Sequence, residues 1–145
     1  MTLHMIKLCV GVDTIAEMED WVEERVRAAK RRGAKPRLEH VTRAMPKRRA
    51  EILDGGSLYW VIKGFVQLRQ PIVGLDPRMG KDGIERCAIR FAPRVVPVMP
   101  QPHRAFQGWR YLDGKDAPAD LGKRGRHSRE LPPELLLELR SLGIL

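Results

Sequence analysis

The sequence predicts an α+β fold: a bent antiparallel sheet or small β-barrel, with one long N-terminal helix and a short C-terminal helix. Three observations carry this expectation. Residues 57–92 are rich in strand formers punctuated by glycine. Residues 15–29 carry one apolar stripe at helical spacing. Strand and helix segments are partly segregated along the chain, as in α+β and not α/β proteins. A length of 145 residues fits one domain, and 43% hydrophobic residues suffice for a core. The expected organisation is a domain over 1–121, a flexible basic linker over 122–130 (GKRGRHSRE) and a C-terminal helix over 131–145 that packs on the domain.

The elements follow in order. LHMIKLCV at 3–10 alternates imperfectly and reads as a largely buried first strand. Thr14 and Glu17 have the spacing of a capping box. Behind them Ile15, Met18, Val22, Val26 and Ala29 form the helical stripe, bordered by Trp21. Acids crowd the first half of this helix and bases its last turns, which suits the helix dipole. Gly33 takes the position after the C-cap, and Pro36 closes the exit.

Leu38 to Met45 predict a short second strand, and Pro46 starts one or two helical turns that end at Gly55-Gly56. Ser57 to Lys63 are the clearest strand: Leu58, Trp60 and Ile62 point one way, Tyr59 and Val61 the other. Gly64 permits a bulge or bend. Phe65 to Leu75 continue as strand, with Pro71 marking an edge, before a turn over 76–83. Ile84 to Ala92 divide into a polar and an apolar face. Four prolines between 93 and 104 predict an extended edge or stiff loop, and AFQGWRYL (105–112) a last strand. One turn is expected near Pro118 to Leu121, and Pro132 and Pro133 open the final helix.

Charge and motifs narrow the function. The net charge of +9 is unevenly placed. Residues 1–24 hold six acids against Lys7, whereas residues 25–49 hold eleven lysines and arginines against Glu39 alone. A dense basic segment attracts polyanions through its field and through counterion release. The two cysteines, Cys9 and Cys87, lie far apart in apolar stretches, which predicts reduced thiols in a cytoplasmic protein. Neither a signal peptide nor a membrane span is predicted. His4, His40, His103 and His127 have no metal-ligand spacing, no CxxC occurs, and no nucleophile elbow or phosphate loop is present. No metal or cofactor is therefore expected.

Basic residues interleaved with aromatics remain. Bases stack on aromatic rings while Lys and Arg hold phosphates. The expected anion-binding set is Arg43, Lys47, Arg48, Arg49, Lys63 and Arg110, with Lys47 and Arg48 near a helix start that favours anions. Tyr59, Trp109 and Tyr111 are the expected stacking rings. The expected partner is RNA, a modified base or another nucleic acid.

At HVTRAMPKR (40–48), GGSLYWVIKG (55–64), RQPI (69–72) and FQGWRYL (106–112), the chain resembles the bacterial family of uncharacterised proteins termed domain of unknown function 1489. IKLCVG near the N-terminus and DAPADL (116–121) extend the likeness over nearly the whole chain. The resemblance implies a small single-domain protein and carries over no catalytic residue. A weaker likeness, of architecture alone, is to the PUA/ASCH-like group of RNA-associated folds.

Two alternatives accompany the nucleic-acid reading. One is an enzyme of a small anionic substrate such as a nucleotide, with His40, Asp54 and His103 as acid–base groups and Arg43 or Arg110 as anion clamp. The other is a protein-interaction module using the apolar helix ELLLELRSLGIL (134–145).

Overall fold

A computed structural model of the chain describes residues 2–122 and 131–143. The segment expected as a linker lies, beyond Gly122, outside the described residues.

Strand β1 (Leu3–Leu8) leads into helix α1 (Ile15–Arg31). Thr14 Oγ1 accepts from the Glu17 amide at 3.2 Å, one arm of the capping box. The other arm reaches one residue further back than expected: Glu17 accepts from the amide of Asp13, not of Thr14. At the far end the amides of Gly33 and Ala34 donate back to Lys30 and Ala29, closing the helix in a Schellman motif. Ile15, Met18, Val22 and Ala29 are buried, as the stripe requires.

Strand β2 (Leu38–Thr42) and a five-residue helix α2 (Arg49–Leu53) complete the crossover to β3 (Ser57–Ile62). Helix α2 begins three residues after Pro46, so the proline does not open it, and Arg48 caps it without a side-chain bond. Gly56 packs where a Cβ would meet the carbonyl oxygens of Ile52 and Leu3, so α2 can lie this close to β1 only over a glycine. Strand β3 lies parallel to β1, and all six of its residues are buried.

Lys63 and Gly64 both have positive φ, 49° and 84°, and form the two-residue turn into β4 (Phe65–Met79). The bulge expected at Gly64 sits instead opposite Trp60 and Val61, where Gln67 is the extra residue. Strand β4 is central and four residues longer than expected, so Pro71 does not mark an edge. Up to Pro71 it pairs with β3; from Ile72 it pairs with β5 (Glu85–Phe91). Pro71 thus falls at the handover between partners, where the missing N–H interrupts no ladder. Strand β6 (Val96–Pro102), the proline-rich segment, is an edge on the first half of β4. Strand β7 (Trp109–Asp113) flanks β1, and helix α3 (Pro133–Ser141) buries Leu136 on the β6 side. The late turn is a 3-10 turn over Gly114–Asp116, earlier than expected.

The result is a mixed, open sheet in the order β2-β5-β4-β3-β1-β7, with β6 off this path. A closed barrel does not form, which corrects the small-barrel, PUA/ASCH-like expectation. The sheet does curl. Trp60 on β3 meets Phe91 of β5 edge-to-face at 6.5 Å and His40 of β2 at 5.4 Å. One main core therefore gathers Met5, Ile15, Ile52, Trp60, Leu75 and Ile89 from elements that are distant in the sheet order. Each such side chain, moved from water to the interior, stabilises the fold by about 1.5–3 kcal/mol. A smaller cluster of Ile6, Tyr59, Val61, Val66 and Val98 fills the opposite face of the central strands.

The end of β2 and the segment that follows it come up to β7 without strand pairing. Side chains bridge the seam instead. Trp109 Nε1 donates to the Ala44 carbonyl at 2.7 Å, and Tyr111 Oη accepts from the Arg48 amide at 3.1 Å. Strand pairing cannot continue there, because β2 ends at Thr42 and β7 starts only after Gly108, whose φ is 71°.

Candidate nucleic-acid interface

Lys7 lines the groove at this seam. Alternation along β1 puts it on the same face as Leu3 and Met5, both buried in the main core. Its partners in the sheet are Trp60 on one side and Trp109 on the other, so a lysine stands between two indoles in one row. Burial pulls its ammonium below the ordinary lysine range, and no carboxylate counters the effect. No ion pair to Lys7 occurs among the described residues.

Two concavities meet at Lys7. The first, of about 380 Å³, is lined by Lys7, Thr42, Arg43, Arg86, Gln107 and Gly108. Arg43 projects at the end of β2 with no acidic partner among the described residues. Arg86 is held by Asp82 through two bonds of 2.7 and 2.9 Å, which keep that carboxyl well below the usual carboxylate range. The second, of about 210 Å³, is mostly apolar, and Trp21, Trp60, Phe91, His40 and Glu39 line it together with Lys7. Burial first, and then the Lys7 charge, lowers the His40 pKa, so its imidazole is neutral at pH 7.

The expected anion-binding residues do not all gather here. Arg43 lines the groove and Lys47 is exposed in the loop beyond it. Arg48 is drawn to Glu51, with its guanidinium 5.5 Å from the centre of the Tyr111 ring. Arg49 donates to the Leu75 carbonyl at 2.7 Å. The helix start expected to favour anions belongs to the five-residue α2 and offers no site. Lys63 sits at the β3–β4 turn, 3.7 Å from Asp13. Arg110 lies one residue along β7 from Trp109, hence on the opposite face, 5.0 Å from the Phe106 ring centre.

The rings divide in the same way. Tyr59 is 4% exposed and packs edge-on against His4 at 4.9 Å, so it cannot stack on a base. Alternation predicts an exposed Tyr59 only if one face of β3 meets solvent, and both faces are covered. Trp109 is half-buried and bonded to Ala44; Tyr111 is 38% exposed at the seam, in edge contact with Trp109 at 4.9 Å.

The acid–base trio of the enzyme alternative does not converge. Asp54 caps α2 just before β3, His103 bonds to the Gly64 carbonyl just after it, and only His40 lines the cavity. Among the described residues, no three His, Cys, Asp or Glu side chains cluster as metal ligands would. Burial pushes the Cys9 and Cys87 thiols up to about 11, away from thiolate reactivity. No helix among the described residues is long and apolar enough to cross a membrane.

The residues missed from sequence are Lys7, Arg86 and Trp21. Lys7 carried a readable signal: a lone charge in phase with Leu3 and Met5 on a strand is an inward-facing charge. Arg86 and Trp21 carried none, because the groove and cavity walls come together only through the curl of the sheet.

No curated protein and no solved structure matches the chain. The family model described as Protein of unknown function (DUF1489) matches residues 5–145, a span that takes in the last four residues of β1 with Lys7 and both seam strands, and the chain belongs to that family.

Proposed function

We propose that the protein is a nucleic-acid-binding module, with single-stranded RNA as the first ligand to test, and that the strand lies along the seam between β2 and β7. Lys7 and Arg43 hold phosphates, Lys47 extends the path, and the exposed edge of Tyr111 flanks it. The observation that carries this reading is Lys7: a half-buried ammonium without a carboxylate, on the floor of a groove it shares with Arg43. A charge held out of water without a partner costs stability. A phosphate offers it the partner it lacks, with a charge-assisted bond.

The test is fluorescence-anisotropy titration of a short single-stranded RNA against the wild-type protein and Lys7→Met. Methionine keeps most of the side-chain stem and removes the charge. The expected result is affinity about tenfold lower for Lys7→Met, on the scale of one bond to a charged group. Thermal stability should be equal or higher, because an unpartnered buried charge has gone. Equal RNA affinity in the two proteins would overturn the reading.

A further inference from the structure

We infer that the 210 Å³ cavity beside Lys7 receives one unstacked base of the bound strand, its phosphate lying at Lys7; this rests on the nucleic-acid reading above. Four observations favour a base as occupant. The walls are aromatic on several sides. Trp60 meets His40 at 90° and Phe91 at 81°, which makes a buried aromatic corner as the inner wall, and Trp21, 37% exposed, is the ring open to a stacking partner. That corner is rigid, because Trp60 Nε1 donates to Gln70 Oε1 at 2.8 Å and holds the indole in place. The cavity is also small, below the roughly 300 Å³ at which sites for drug-sized ligands begin, so it suits a single ring system.

The polar groups fit a base edge as well. A neutral imidazole has one N–H donor and one nitrogen acceptor. No hydrogen bond to the His40 ring is found among the described residues, so both remain for a ligand. Glu39, the neighbour of His40 on β2, turns its carboxylate to Arg78 at 2.8 and 3.0 Å on the other face, so His40 supplies the polar edge of this wall. Lys7 lines both the cavity and the basic groove, so a ring in the first and a phosphate in the second meet at one side chain. Trp21, 37% exposed on α1 with the Arg25 guanidinium 4.9 Å from its ring centre, forms the outer wall.

The experiment compares a short single-stranded RNA with an abasic ribose–phosphate strand of the same length and charge, each titrated over a range of salt. The expected result is binding about tenfold tighter for the RNA, the scale of one stacked base. That advantage should vanish in His40→Ala and Trp21→Ala while the salt dependence stays unchanged. His40→Gln, which keeps a donor and an acceptor, should restore part of it. Equal affinity for the two strands, with strong salt dependence, overturns the base pocket and leaves the phosphate groove standing. Failure of both strands to bind overturns the nucleic-acid reading and the pocket with it.

Discussion

Two regions of this molecule carry arginine and lysine in quantity, and they treat the charge differently. On the ribbon made by β2, β5 and the second half of β4, the cations are matched. Arg78 grips Glu39 with two bonds, Arg37 lies 3.7 Å from the same carboxylate, and Arg90 pairs with Asp76 at 2.5 Å. At the seam, Lys7 and Arg43 face a groove with no acid among the described residues. The difference shows why a count of basic residues is a poor map of a polyanion site. A cation held by a carboxylate presents little net field, whereas one unmatched and partly desolvated keeps its full demand for an anion. The dense basic segment at 25–49 is dispersed on the same principle. Its first part ends helix α1, where Arg27 and Arg31 sit 4.0 and 3.4 Å from Glu23 and Glu24, and only its last part reaches the seam.

The comparison can be broken most forcefully at Trp109. Its indole packs against the main core and ties β7 to Ala44. Trp109→Ala should cost about 2 kcal/mol of stability, combining lost packing with a lost hydrogen bond, and should weaken RNA binding by parting the edges of the groove. Urea unfolding followed beside an RNA titration checks both. A stability loss without a binding loss would mean that the seam geometry is irrelevant to the ligand.

A smaller change should turn a matched cation into an unmatched one. Asp82 holds Arg86, which lines the groove. Asp82→Asn keeps an acceptor for the Ile84 amide and removes the negative charge and one of the two bonds that hold the guanidinium. RNA affinity is expected to rise a few-fold, by a fraction of one charged contact. Unchanged affinity would show that Arg86 does not point its charge along the strand's path.

The smallest effect separates neighbours on β2. His40 faces the cavity with its pKa lowered from 6.5 by burial. The unfolded chain therefore takes up a proton before the folded one does as pH falls below 6.5. Stability should start to decline there and stay flat above that value as far as this group is concerned. Glu39, held below its usual 4.5 mainly by the Arg78 bonds, contributes stability above that value and loses it only at lower pH, as it protonates in the fold. Thermal melts between pH 7 and 5 should thus fall less steeply in His40→Gln than in wild type. His4, lowered by burial and by Arg69, keeps the residual slope. Equal slopes in the two proteins would show that His40 is not shielded from water.

Much of the fold was legible in the sequence, because local signals reported it. Thr14 and Gly33 bound α1, the apolar periodicity of Ile15 to Ala29 sets its buried face, and Ser57 to Ile62 have the composition of a buried strand. Other features depend on distant partners and left no local trace. Tyr59 alternates like an exposed residue, yet Val66 and Val98 cover it from other strands. Pro71 reads as an edge marker, yet it sits where a central strand changes neighbours. The candidate site was legible only in part. Arg43 and Trp109 were in view as a basic residue and an aromatic, but their place at one seam follows from the curl that brings β2 back toward β7. Arg69 illustrates the limit from the other side: its carboxylate, Asp120 at 2.8 Å, is 51 residues away, so charge matching cannot be read along the chain.

The direct test sets a seam cation against a ribbon cation in the same salt titration. For single-stranded RNA each phosphate contact adds about −0.7 to the slope of log affinity against log salt. Arg43→Ala should make the slope shallower by about that amount, and Arg37→Ala, beside Glu39, should leave it unchanged. A slope that shifts for Arg37→Ala and not for Arg43→Ala, or wild-type binding indifferent to salt, would contradict the assignment of the phosphate path to the seam.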